Sequence, residues 1–479
     1  MHQPLVDNLR RERDACGIGF IADASGRASR LILDAALEGL ARMRHRGAFA
    51  ADRRTGDGAG VLLPIPRSLV PAPWCGLAMV FERAPDARAA IEDACHAAAV
   101  DTGGWRDVPV RTAALGDEAR ATMPRVSQLV LRQPLGTTLD EAERRAYRAR
   151  RRCAEIDGCY VASLSFRTVT YKALCAADQL SSFYPDLLDP SVAVPFAVFH
   201  QRFSTNTTPS WERAQPFRVL CHNGEINTID GNVAWMQARG LASALDADGS
   251  DSAILDNALE LLVRGGRDIR EAAAMLLPQA WQADQELDED LRAFHRYHST
   301  LIEPWDGPAG VVFTDGRVVG AGLDRNGLRP LRWAVADERL VACASEAGAL
   351  SLLPGARVRR GRLGPGELLV VDPAAGIEDD RAVKLRIARK RPYARWSRAT
   401  LVPRDAGRPV DPPAGDLTPR QIRAGYTREE LTLLLRPAAA TGHEPVSSMG
   451  EDTALPPLAS RARPVTSYLR QRFAQVTNP

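Results

Sequence analysis

No Cys-x-x-Cys pair occurs in the 479 residues, and the eight cysteines fall without regular spacing. That argues against zinc and iron–sulfur sites, which need clustered thiolates. A chain this long has no need of disulfides, so most cysteines are expected to be reduced, small buried residues, as in a cytoplasmic protein. Strong charge of one sign is also missing. The formal net charge is +3, which gives no electrostatic case for nucleic acid or an acidic membrane. Long apolar runs are absent too. The longest, Val192 to Phe199, contains Pro195 and is far too short to span a bilayer. The first fifteen residues have no apolar core and are not a secretory signal. Thr55-Gly56-Asp57-Gly58-Ala59-Gly60 lacks the Gly-Lys-Ser/Thr ending of a phosphate loop, and a strand follows where a helix is required.

What is present centres on Cys16. A polar leader, residues 1–15, precedes it, and the apolar run Ile18 to Ala22 follows. A cut between Ala15 and Cys16 would leave a cysteine with both a thiol and a free α-amino group. The amine, with a pKa of roughly 7.7–8.0, suits a general base near neutral pH. His222 beside Cys221 is a second conceivable thiol–base pair. Neighbours on a strand point to opposite faces, however, which argues against it.

A thiol attacking an amide needs an oxyanion site: a side-chain amide and a backbone N–H. Asn223-Gly224 supplies both types, and Asn-Gly is also a plain turn signal. An amino-acid substrate needs a carboxylate clamp, for which Arg202 at a strand end is suited. It also needs an ammonium partner, for which Asp251, a helix N-cap candidate, is suited. Each residue alone has an ordinary reading as a buried thiol, ion pair, cap or turn. Their co-occurrence raises the functional one.

Strand patterns run over 16–22, 59–65, Pro195 to Phe203 and Phe217 to Cys221. Helical periodicity covers Ser29 to Arg44, 85–101, 139–152, 226–246, 251–264 and 270–296 with a break at Pro278. Strand runs on both sides of a helical block predict α+β layering rather than a doubly wound sheet. From about 386 to 418 arginine, proline and glycine read as a linker.

Several of these motifs together resemble a known family. Cys16-Gly-Ile-Gly-Phe, His45-Arg-Gly-Ala, Thr55-Gly-Asp-Gly-Ala-Gly, His200-Gln-Arg-Phe-Ser-Thr-Asn-Thr, His222-Asn-Gly-Glu-Ile-Asn-Thr and Gly249-Ser-Asp-Ser are similar to class II glutamine amidotransferase domains. Glu303-Pro-Trp-Asp-Gly-Pro-Ala, Asp324-Arg-Asn-Gly-Leu-Arg-Pro and Ala344-Ser-Glu-Ala-Gly narrow the resemblance to glutamate synthase large subunits. Gly425-Tyr-Thr and Glu444-Pro-Val-Ser-Ser-Met-Gly-Glu-Asp-Thr resemble the opening of that family's central domain.

The resemblance implies an α+β N-terminal nucleophile hydrolase fold, an αββα four-layer sandwich, followed by a short incomplete helical α/β segment. It implies a propeptide at 1–15, an amidotransferase domain over 16–395, a linker at 396–418 and a truncated central domain at 419–479. Glutamine is the implied substrate: Cys16 attacks its γ-amide, ammonia leaves, and water releases glutamate from the thioester. Asn223 and Gly224 then form the oxyanion hole, Arg202 holds the substrate carboxylate and Asp251 its ammonium. Arg46, Thr205 and the Gly56–Gly60 loop shape the pocket.

The family's FMN barrel, iron–sulfur motif and β-helix have no counterpart in these residues. The chain is therefore expected to bind no cofactor and no metal itself. Its expected partners are the remaining synthase domains or a second chain, with a small NADPH-oxidising subunit beyond them. A different class II amidotransferase and an inactive remnant stay open as alternatives.

Overall fold

The computed structural model describes residues 16–70, 73–202, 208–246, 249–349, 356–400, 415–443, 445 and 460. Two compact units divide the chain, Met1–Thr400 and Leu401–Pro479.

The first unit is built on the run that follows Cys16. Gly17–Asp23 is buried along its whole length. Phe196–Gln201 pairs with it on one side and Leu340–Ala344 on the other, both antiparallel. A residue larger than glycine does not fit at position 19, where an added Cβ would lie 2.5 Å from the Phe199 ring and 2.7 Å from the Cys343 carbonyl oxygen. The full sheet has seven strands, in the order Val358–Arg362, Arg332–Ala336, Leu340–Ala344, Gly17–Asp23, Phe196–Gln201, Ala59–Pro64 and Thr168–Ala173.

Alternation divides the side chains of the Gly17–Asp23 strand between two cores. Ile18, Phe20 and Ala22 enter a cluster shared with Cys221, Val312 and Ala321 of a second sheet. Ile21 enters the opposite cluster with Ile32, Leu33, Ala36 and Leu40 of the Arg30–Arg42 helix. Each fully buried Ile or Leu there contributes roughly 1.5–3 kcal/mol. The second sheet has five strands, in the order Gly376–Glu378, Leu368–Asp372, Val319–Leu323, Ala309–Thr314 and Leu220–Gly224. Its outer side is covered by the Asp251–Arg264 and Ile269–Leu276 helices. Helix, sheet, sheet and helix make the four layers of the expected α+β N-terminal nucleophile hydrolase sandwich.

Short strands between residues 76 and 165 build a third sheet. Asp101–Asp107, Arg125–Arg132, Gly76–Glu82 and Cys159–Ser165 form it in that order. The Ala87–Ala97 and Leu139–Cys153 helices pack on it through Ile91, Ala94, Ala142, Ala146 and Ala149. The chain order β-α-β-β-α-β makes this a split βαβ unit.

Two expectations need correction and one is met. The helix expected over 226–246 spans only Ile229–Ala238, and Gly240 at φ +73° follows it. The break expected at Pro278 within 270–296 is met: it separates two helices, Ile269–Leu276 and Glu289–His298, the second started by Asp288 accepting from the backbone N–H of Asp290 and Leu291. The linker reading fails at its first residues: Trp396 and Ser397 belong to a Tyr393–Thr400 helix. Tyr393 is buried and packs edge-on to Phe294, with centroids 5.4 Å apart. Proline and arginine set the composition there, but the two aromatic residues set the packing. Residues 401–414 lie outside the described residues.

In the second unit, Leu417–Arg423 is helical. Thr427 and Glu430 then form a reciprocal capping box at the start of a helical run that ends at Thr441. No helix among the described residues is long and apolar enough to cross a membrane.

Candidate functional site

The register of the central sheet brings Cys16 to Arg202. Gly17 pairs with Gln201, so one further step sets Cys16 opposite Arg202. Cys16 is partly exposed, whereas Arg202 is buried. The Arg202 backbone N–H donates to the Gly58 carbonyl at 2.8 Å, which joins the glycine-rich loop to the same corner. Burial lowers the Arg202 pKa, while the charges of Cys16, Asp57 and Asp251 raise it. Four groups far apart in sequence therefore share one electrostatic neighbourhood.

Arg46 approaches from the other flank. The next residue, Gly47, lies so close to Gln201 that an added Cβ would be 2.3 Å from its Nε2. The Arg46 Nη2 donates to Glu346 at 3.3 Å, and its Nε and Nη1 are buried with no partner among the described residues. Glu346 also meets His45 Nε2 at 3.0 Å. Next to it, the Ser345 hydroxyl accepts from the Ile18 N–H at 3.0 Å and so holds the strand just beyond Cys16.

Asn223 and Gly224 end the Leu220–Gly224 strand and do not form the hairpin turn that Asn-Gly suggests. The chain leaves the strand along Pro308, whose carbonyl accepts from the Glu225 N–H at 3.3 Å. Asn223 is 1% exposed, and its Nδ2 is buried with no partner among the described residues. By alternation it shares a strand face with Cys221, whose Sγ lies 3.8 Å from the Phe199 carbonyl oxygen of the seven-stranded sheet. Asn223 thus faces the sheet that ends in Cys16.

Gly224 has φ +133°, and an added Cβ would lie 1.6 Å from the Pro308 oxygen. Gly224→Ala is therefore expected to destabilise the protein by about 3 kcal/mol or more, measured by urea unfolding. A wild-type unfolding midpoint for that variant would contradict the geometry.

The Glu303-Pro-Trp-Asp-Gly-Pro stretch supports this corner. The Asp306 carbonyl accepts from the Asn227 N–H at 2.8 Å, and the buried Trp305 donates its backbone N–H to Leu276 at 2.7 Å.

Asp251 is placed by a ladder that the sequence reading missed. Asp251 Oδ2 accepts from the Ile226 N–H at 3.0 Å, and Oδ1 accepts from the Ser252 N–H at 2.6 Å. Ser252 Oγ meets His222 Nδ1 at 2.8 Å. One turn on, the fully buried Asp256 accepts from the backbone N–H of Arg218, Val219 and Leu220 at 3.1, 2.9 and 3.2 Å. Three rungs thus lock the Asp251–Arg264 helix along 218–226. The spacing Asp251, Ser252, Asp256 on one helix carried the signal, but only with the facing strand known.

Cys221 and His222 do point apart, as alternation requires. His222 faces Ser252, while burial pushes the Cys221 thiol well above its ordinary pKa. Cys221→Ala is expected to leave turnover unchanged and to cost about 1–2 kcal/mol of stability as a small cavity, read by thermal unfolding beside an activity assay. Thr205 lies outside the described residues.

Residues 16–396 match the family described as class-II glutamine amidotransferases, and residues 419–479 match the glutamate synthase central domain. The chain is 41% identical over 524 residues to ferredoxin-dependent glutamate synthase 2 of a Synechocystis strain, covering 100% of this chain and 34% of that protein. It is 39% identical over 510 residues to the glutamate synthase [NADPH] large chain of Bacillus subtilis, covering 98% of this chain and 33% of that one. The chain thus spans about a third of the length of the curated relatives it matches. Among solved structures, a glutamine phosphoribosylpyrophosphate amidotransferase from B. subtilis aligns at 14% identity, with 76% of this chain and 48% of that one covered and a TM-score of 0.37.

Proposed function

We infer the reaction from one premise: the chain belongs to the class II glutamine amidotransferases. We propose that residues 1–15 are removed and that Cys16, as the new N-terminus, hydrolyses L-glutamine. Its α-amino group takes the thiol proton, and the sulfur attacks the γ-carbonyl carbon. The tetrahedral oxyanion accepts hydrogen bonds from Asn223 Nδ2 and the Gly224 N–H. Collapse expels ammonia, which takes the proton, and leaves a γ-glutamyl thioester. Water then attacks through a second such oxyanion and releases glutamate and the thiol.

Arg202 holds the substrate carboxylate and Asp251 its ammonium. Arg46 lines the remainder of the pocket. The observation that carries this reading is the buried Asn223 amide, whose donor faces the sheet that ends in Cys16 and has no partner among the described residues.

The ammonia is destined, on this reading, for 2-oxoglutarate in a longer glutamate synthase. FMN, an iron–sulfur cluster and a small NADPH-oxidising subunit belong to parts of that assembly other than these residues, and the whole works in the cytoplasm.

The test is release of glutamate and ammonia from L-glutamine by the purified chain, with intact-mass measurement alongside. Turnover by protein that retains Met1 in full would rule out the amine as base. Arg202→Lys is expected to raise KM about tenfold to a hundredfold and to change kcat less, because a lysine cannot reproduce the forked contact to a carboxylate. A KM equal to wild type would remove Arg202 from the clamp.

A further inference from the structure

Five arginines that the proposed reaction does not use converge on one small cavity. Arg144, Arg167, Arg264, Arg267 and Arg317 line a space of about 90 Å³ together with Val263, Gly266 and Asp140. They come from separate parts of the first unit. Arg144 lies on the Leu139–Cys153 helix, and Arg167 lies in the turn after the Cys159–Ser165 strand. Arg264 ends the Asp251–Arg264 helix, and Arg267 follows it. Arg317 sits in the turn between Ala309–Thr314 and Val319–Leu323.

Each guanidinium is held by a carboxylate, and Asp140 also reaches Arg317 at 3.5 Å. Arg144 pairs with Glu141 at 2.7 Å, Arg167 with Asp140 at 2.6 Å and Arg264 with Glu143 at 2.8 Å. Arg267 pairs with Glu271 at 2.6 Å and Arg317 with Asp315 at 3.0 Å. Of these acids only Asp140 lines the cavity. The lining itself is therefore five cations to one anion.

Two observations set this cavity apart from a closed ion-pair network. The Arg167 and Arg264 side chains are only 6% and 9% exposed, and the Nε of each is buried with no partner among the described residues. The cavity is also fixed in shape: Gly316 packs on the Arg167 stem so tightly that an added Cβ would lie 2.5 Å from the Arg167 Cβ. The Arg167 hydrogen bond, with the charges of Arg317 and Arg144, holds the Asp140 carboxyl below the usual range.

We propose that this cavity binds a small tetrahedral oxyanion, a phosphate or sulfate group, between the forks of the five arginines. The space equals about three water molecules, which suits one such group. Forked guanidinium donors match oxyanion edges two at a time, and carboxylates behind them hold the forks in place. The site stands at the opposite end of the helix from Asp251, roughly 20 Å away by helical rise. It is therefore separate from the Cys16 corner, and its test does not depend on glutamine hydrolysis.

The test is calorimetric titration of the full chain with inorganic phosphate at constant ionic strength set by chloride, with glycerol phosphate as a second titrant. One site per chain is expected. Binding of inorganic phosphate alone identifies a free ion as the ligand, and binding of both identifies an ester headgroup as acceptable. The partly exposed pair Arg144→Gln/Arg317→Gln is expected to weaken binding about tenfold or more, as for loss of charged hydrogen bonds. If that variant does not fold, Arg144→Lys/Arg317→Lys keeps the charge, loses the forks and is expected to weaken binding less. No saturable phosphate binding by the folded wild type, or wild-type affinity in a folded variant, overturns the proposal.

Discussion

Cys16→Ala is expected to lower kcat for glutamine hydrolysis by about 10⁵–10⁶-fold, since removing a covalent nucleophile leaves only binding and oxyanion stabilisation. The fold should survive, because Cys16 precedes the Gly17–Asp23 strand and is partly exposed rather than part of a core cluster. The variant should also retain its first fifteen residues if Cys16 drives its own release. The two readouts are a glutaminase assay and intact mass. Residual turnover within tenfold of wild type would exclude Cys16 as the nucleophile. Paired with Cys221→Ala, the experiment separates two thiols whose surroundings differ in kind. One lies opposite Arg202, and the other is a buried thiol whose pKa burial has raised.

Asn223→Ala is expected to lower kcat by about 10²–10³-fold with little change in KM, the size found when one oxyanion donor is lost. Its effect on stability should be small. The Nδ2 group has no partner among the described residues, so removing it leaves no donor or acceptor newly unsatisfied there. That combination separates a catalytic donor from a structural one. A structural asparagine would lower the unfolding midpoint and spare kcat. Gly224→Ala should show the reverse weighting, because its clash with Pro308 strikes the backbone first. Wild-type kcat in a folded Asn223→Ala protein would remove Asn223 from the oxyanion site.

The neighbouring polar contacts explain how two separated segments hold one geometry. The distance between Asp251 and Gly224 is set by the Asp256 and Ser252 rungs, not by either residue's own element. Asp256 has no part in the proposed chemistry, yet it fixes the foot of the strand that ends in Asn223. Its three backbone donors come from consecutive residues, which ties the register of that strand to the pitch of the helix.

The sequence by itself determined what short-range pattern can carry. The all-buried run after Cys16 specified a central strand, because a strand covered on both faces needs apolar or small residues at every position. Apolar spacing specified the Arg30–Arg42 and Asp251–Arg264 helices to within a residue or two. The order of the motifs from Cys16 to Asp251 specified the family.

Tertiary structure alone decided which groups meet. Asn-Gly carries a turn propensity, but pairing with Ala309–Thr314 drew Asn223 and Gly224 into a strand end. Trp396 sits in arginine- and proline-rich sequence, but the aromatic cluster around Tyr393 and Tyr297 drew it into a packed helix. The five arginines share no motif, since residues 144 to 317 come together only when three sheets and their helices are assembled. The physical reason is common to all of these. Periodicity and turn chemistry act over a few residues, whereas register and packing act between segments tens to hundreds of residues apart.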